Sequence, residues 1–262
     1  MRHRVLAALA AVLLPLCAQA QLFSPTGNDP GRLRWSSFRT GDYQLIYPRG
    51  LDSLATVYGT LFQQYSVPLS ASTGFSPHEE ILPAMPVILH PYTGMSNGLV
   101  AWAPRRVDIF TLPDVSGLTP IPWAKLLAIH EGRHVSQKQF LRTGFWKGFH
   151  YPFGELPEMI IGMIPNSSLL EGEAGVAETA LTRAGRGRSG DFLSEMRMYF
   201  DTGDLRNWYQ WRYGSIKKYT PDIYRLGYLT VAGFRYRDEE PYFTPQFLQG
   251  ASTLGGAFSP MD

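Results

Sequence analysis

Hydrophobic positions follow two regimes along the chain, period two in the first half and helical period in the second. Tyr43, Leu45 and Tyr47 alternate with polar neighbours, which predicts a strand over Phe38 to Tyr47. Leu51, Leu54, Ala55, Tyr58, Leu61 and Phe62 recur at helical spacing and predict an amphipathic helix from Leu51 to about Tyr65. Met85 to His90 reads as a short buried strand. Asn97-Gly98 is a turn signal that closes a loop begun at Tyr92. Val100 to Trp102 and Val107 to Leu112 read as two more strands around Pro104-Arg105-Arg106.

After Pro120 and Pro122, residues tolerated in a first helical turn, the period becomes helical. Helices are predicted over Trp123 to about Leu141, Ser168 to about Arg183, Asp191 to Phe200, and Pro221 to Tyr236. Residues 145–166 are aromatic and apolar with Gly and Pro throughout, and read as a long connection with one helical turn. That connection either lines a cleft, touches a membrane surface or is buried. The order predicts an α+β fold: a small mixed sheet followed by a helical half. No internal repeat or low-complexity tract interrupts it.

The first twenty residues need a separate account. Arg2 and Arg4 precede an apolar run from Val5 to Leu16, and Ala18-Gln19-Ala20 is a small-x-small site. This is the pattern of a secretory signal peptide over 1–20, and it predicts an exported protein, periplasmic or secreted. A lipid anchor on Cys17 is the alternative, and Leu16 fits it poorly because a small residue should precede that cysteine. Residues 21–37 then read as an extended lead-in, 38–240 as the folded domain, and 241–262 as a tail or linker.

Cys17 is the single cysteine, so a mature chain cut after Ala20 has neither disulfides nor Cys-ligated metal. The net charge of +2 gives no sign of a nucleic-acid partner. No segment after the first is long and apolar enough for a membrane helix. Oligomeric state leaves no mark in the sequence.

Chemistry concentrates in His130-Glu131-Gly132-Arg133-His134. Residues four apart share a helix face, so both imidazoles can reach one Zn²⁺, and Glu131 stands beside the first of them as a general base. Arg133 points off that face and reads as structural. A catalytic zinc needs a third protein ligand and an open position. The three-histidine version fails, because Gln137 and Phe140 stand where Gly and His should. Glu171 is the best third ligand, at the start of the next predicted helix. Ser168-x-x-Glu171 also fits a capping box, in which Glu171 would cap its own helix. His150, Glu173 and Glu178 are the other candidates. Glu178, two turns beyond Glu171 on the same face, can instead orient a ligand histidine. Arg105, Arg106, Arg186 and Arg188 either bind substrate carboxylates or pair with acids and solvent.

His130 to His134 together with Glu171-Gly172-Glu173-Ala174 resemble the gluzincin metallopeptidases. More narrowly, the chain is similar to a group of exported bacterial proteins. It shares with them Asn97-Gly98, Ala101 to Arg106, the H-E-x-R-H helix, Glu178-Thr179 and Gly185 to Arg188. The resemblance covers roughly residues 38–236. It implies a zincin-like fold, a zinc cofactor held by His130, His134 and Glu171, and hydrolysis of peptide bonds in a peptide or protein substrate. It further implies substrate pairing to an edge strand within Ala101 to Phe110, with Ala101, Trp102 and Ala103 as contacts. A Tyr commonly stabilises the oxyanion in that class, which points to Tyr224 or Tyr228, against a plain packing role for both. Members of the narrower group often carry a TolB-type β-propeller after this domain. With the sequence ending at Asp262, the expectation is a short or truncated member. The rival reading is a non-catalytic periplasmic binding or assembly domain on the same fold, against which an intact Glu131 argues.

Overall fold

A computed structural model describes residues 29–73, 84–115, 120–142, 146–162, 166–204, 206–238, 248 and 250. The proposed signal peptide, residues 21–28 of the lead-in and almost all of the tail lie outside the described residues, and the end of the lead-in belongs to the first strand.

The first predicted strand is two. Strands β1 (Trp35–Thr40) and β2 (Tyr43–Pro48) form an antiparallel hairpin with Thr40 opposite Tyr43. Gly41, at φ 52°, supplies the positive φ that a two-residue hairpin turn demands. Helix α1 (Asp52–Ala71) then crosses over to β3 (Met85–His90), which pairs parallel to β2. α1 continues past Tyr65 and through Pro68, which cannot donate to the helix ladder. Leu69 rewards the extra turn, because it is 1% exposed and packs against Ile129. Strands β4 (Gly98–Trp102) and β5 (Arg105–Phe110) complete a five-stranded sheet in the order β1-β2-β3-β5-β4. β4 is therefore an edge strand, antiparallel to β5. Alternate residues of β2, β3 and β5 join α1 and the next helix in the main core, around Leu45, Phe62, Val87 and Ile109.

The next helix, α2 (Trp123–Leu141), carries the motif and lies where the sequence put it. It is enclosed on most sides. Leu126 to Arg133 and Val135 to Lys138 are all buried. Residues 145–166 hold two short helices, α3 (Lys147–Phe153) and α4 (Leu156–Gly162), where one turn was expected. Gly154, at φ 62°, breaks them apart. The buried alternative for this stretch is only partly met: Ile161 is fully enclosed, but Tyr151 and Phe153 are exposed.

Helix α5 (Ser167–Leu181) packs against α2 and is capped by Asn166, whose side chain accepts from Ser168 N at 2.9 Å. Ser168 thus sits inside the helix, and the capping-box role for Glu171 falls away. After a 3-10 turn at Arg186–Arg188 come α6 (Gly190–Asp201), α7 (Trp208–Tyr213) and α8 (Ile223–Asp238). α7 was not anticipated; Asn207 and Gln210 cap it reciprocally. α8 crosses α5 at Gly172 and Gly227, where a Cβ on either would collide with the backbone of the other helix. The result is the α+β arrangement the periodicities predict.

The helices are also joined by charge. Glu173 of α5 accepts from Arg133 Nε of α2 at 2.6 Å and from Arg235 Nη2 of α8 at 2.5 Å. Arg133 and Glu173 are each 1% exposed. Breaking a buried pair by removing one partner strands the other charge, at a cost of about 3–5 kcal/mol. Glu173→Ala should therefore lower the unfolding free energy by that much, read as a lower urea midpoint with a nearly unchanged slope.

At the far end of β3, His90 Nδ1 meets Asp29 at 2.6 Å and Nε2 meets Asp108 at 3.2 Å. Burial lowers the His90 pKa, but the two carboxylates outweigh it and the net shift is upward. A raised folded value means this stabilisation is complete below the unfolded pKa of about 6.5 and is lost as pH rises through the folded value. Wild type should thus lose stability relative to His90→Gln as pH rises from about 6 to 9, read by chemical denaturation at each pH.

Candidate metal centre

One turn of α2 separates His130 from His134, so both rings leave the same helix face. Glu171 approaches from the first turns of α5. His130 Nε2 lies 3.0 Å from Glu171 Oε2 and 3.3 Å from His134 Nε2, and His134 Nε2 lies 3.3 Å from Glu171 Oε2. The outer ring nitrogens are both engaged. His130 Nδ1 meets Glu178 Oε1 at 2.7 Å, and His134 Nδ1 meets Gln137 Oε1 at 2.8 Å. Both partners are acceptors, so each ring carries its proton on Nδ1 and turns its Nε2 lone pair inward.

With both rings neutral, two lone pairs and a carboxylate oxygen converge, an arrangement suited to a cation; without an ion, a proton on His130 Nε2 bridges to Glu171 in its place. A tetrahedral site with bonds of about 2.0–2.1 Å sets donor atoms roughly 3.3 Å apart, the spacing of this triangle. Among the described residues, His130, His134 and Glu171 form a group of ligand atoms that can hold a metal ion.

The electrostatics agree. Without an ion, burial pushes the His130 pKa down, but Glu171 and Glu178 outweigh it and raise it to about 10. For Glu171, burial works upward and the two imidazoles hold the carboxyl well below its usual range. The point between these groups is a well for positive charge.

The groups behind the ligands are fixed in turn. Glu178 is fully buried and receives Arg186 as a fork, Nε to Oε2 at 2.8 Å and Nη2 to Oε1 at 2.6 Å. Gln137 donates to Leu170 O at 3.2 Å and to Glu173 Oε2 at 3.3 Å, which fixes its amide so that Oε1 faces His134. Of the alternative ligands, Glu173 is taken by the arginines, Glu178 stands behind His130, and His150 lies beside Arg142 at 3.5 Å on α3.

The centre opens on a cleft of about 680 Å³ whose walls include Glu131, Tyr224, Arg186 and Gly98 to Val100. Glu131 is 3% exposed and has neither hydrogen bond nor ion pair among the described residues. Burial raises its pKa. A Cβ at position 98 would collide with its carboxylate, so Gly98 lets the edge strand run close beside it. Asn97-Gly98 read as a turn in sequence; close approach to Glu131 is what the glycine serves.

The two tyrosines separate. Tyr224 lines the cleft with its ring 6.2 Å from that of His130, and burial followed by Glu171 raises its pKa to about 12. Tyr228 is wedged against Gly187 and packs on Phe192 at 5.7 Å. On the edge strand, the cleft is walled by Gly98, Leu99 and Val100. The expected contacts Ala101, Trp102 and Ala103 lie past that stretch, and the Ala101 carbonyl accepts from Lys138 Nζ at 3.0 Å.

No family model, curated protein or solved structure matches this chain. The geometry itself makes a quantitative claim. Purified protein should bind about one equivalent of a divalent transition metal, and His134→Ala or Glu171→Gln should abolish stoichiometric binding by mass spectrometric metal analysis. Glu178→Gln should keep the site but weaken it about 10–100-fold in a chelator competition.

Proposed function

We propose that this chain is an exported, zincin-like metallopeptidase that uses zinc at His130, His134 and Glu171. The observation that carries the reading is Glu131: a carboxylate buried in the cleft wall next to the ligands, with no partner among the described residues. No hydrogen bond or ion pair among the described residues accounts for its charge. A purely structural metal site has no use for it.

Zinc, when bound there, supplies Lewis-acid activation of water and of a scissile carbonyl. Glu131 accepts the proton of the attacking water and delivers it to the leaving amine. Burial raises its pKa, which favours this role. Tyr224 faces the same space and donates its phenolic hydrogen to the developing oxyanion. Arg186 holds Glu178, which keeps the proton of His130 on Nδ1.

The substrate lies along β4. Phe110 N donates to Asn97 O at 3.0 Å, which fixes the phase of the β4–β5 ladder. Antiparallel ladders alternate, so the backbone groups of Gly98 and Val100 point away from β5 to the free edge. A peptide added there would pair its backbone with these residues while Glu131 stands beside Gly98. Leu126, Leu127 and Leu170 give the cleft an apolar floor.

Glu131→Gln keeps size and hydrogen bonding but cannot take a proton. It should retain one equivalent of zinc while cutting peptide-library turnover by about 10²–10⁴-fold. Cleavage that survives the change would remove Glu131 from the mechanism. Full zinc loading with no cleavage of any library by wild type would leave the binding-domain reading in its place.

A further inference from the structure

Four arginines were open between anion binding and pairing with acids, and three of them find acids. Arg106 Nε lies 2.9 Å from Asp108 Oδ2, Arg105 Nε 3.8 Å from Glu155 Oε1, and Arg186 Nη2 2.6 Å from Glu178 Oε1. Arg188 does not. Its Nη2 donates to the Thr179 carbonyl at 3.2 Å, and it faces a second recess at the C-terminal end of α5.

That recess measures about 740 Å³ and is lined by Lys125, Ala180, Leu181, Thr182, Arg183 and Arg188. Three cations share it, and no acid stands among its walls. Lys125, from the first turn of α2, lies over the Tyr65 ring at 5.7 Å, a contact that leaves its ammonium hydrogens available. Arg183 is exposed, and none of the three forms an ion pair among the described residues. The three come from separate places: the start of α2, the bend after α5 and the 3-10 turn. Like charges gathered from separate elements repel one another, and a shared anion would offset that repulsion.

We propose that this recess binds a phosphate-type oxyanion through Lys125, Arg183 and Arg188. The guanidinium forks match two phosphate oxygens each, and the lysine adds a point charge. A carboxylate brings one charge and two oxygens to three cations, whereas a phosphate dianion brings two charges and a third oxygen. The site lies apart from the metal cleft and does not depend on the zinc reading. Free phosphate and the phosphate of a lipid headgroup share this chemistry.

The test uses the full chain without added metal, so that phosphate does not collect at the histidines. Inorganic phosphate is titrated at constant ionic strength by calorimetry, with sodium chloride as reference. Saturable one-to-one binding is expected, weakened about tenfold or more in Arg183→Ser and in Lys125→Met. Arg39→Ser, which removes an equal charge on β1, should leave it unchanged. Arg183 and Arg39 are exposed and Lys125 is half-buried, and circular dichroism verifies that each variant folds. Co-sedimentation with phosphatidylcholine vesicles, with and without phosphatidic acid, then identifies the source. Capture by the acidic vesicles that needs Arg183 and Lys125 assigns a lipid headgroup. Phosphate binding without vesicle capture assigns a free phosphate. A response no larger than that to chloride, or equal binding by the Arg183 and Lys125 variants, overturns the proposal.

Discussion

The candidate metal centre depends on a neighbouring cluster of buried ion pairs. Glu173 holds Arg133 on one side and Arg235 on the other, with Glu173 and Arg133 enclosed and Arg235 reaching the surface. Such a pair adds little net stability over apolar residues of the same volume, because burying both charges costs about what their attraction returns. Its effect is on register. Any slip of α5 along α2 would strand a buried charge, so misaligned packings are far more costly than the aligned one. Arg133 extends the constraint to α1 through the Leu69 carbonyl. Gln137 then carries it to the ligands, since its amide nitrogen reaches Glu173 while its oxygen receives His134 Nδ1.

The glycine crossing of α5 and α8 works in the same direction. Gly172 and Gly227 let two backbones approach within a distance that any side chain would prevent. Tyr224 lies one turn of α8 before Gly227, and Glu171 one residue before Gly172, so the crossing draws both to the cleft. A wider spacing of α5 and α8 would carry the Tyr224 phenol away from His130.

How much of this was legible follows from the range of each signal. His130, Glu131 and His134 stand within five residues of one helix, so spacing alone set their geometry. Glu171 carried two meanings, ligand or helix cap. The decision lay in Asn166, first of three consecutive residues suited to capping, and residue type could not choose among Asn166, Ser167 and Ser168. The β1–β2 hairpin was missed because the alternation of Tyr43, Leu45 and Tyr47 masked the positive φ at Gly41. α7 was missed because it is six residues long and mostly exposed, with Trp211 as its buried anchor. The pairing of Glu173 with Arg235 was beyond any local pattern, as it joins residues 62 positions apart.

The contrast among buried carboxylates bears most directly on function. Glu173 and Glu178 are both enclosed, and each is held by arginine and by a further polar group. Glu131 is enclosed to nearly the same degree and held by none among the described residues. A buried carboxylate without a partner is costly, and folds carry such costs at sites where the group does chemical work. An arginine pairs with Glu178, and none forms an ion pair with Glu131 among the described residues. Gly98 removes even a Cβ from its path, which leaves the carboxylate open to the cleft beside three residues that can hold a metal ion.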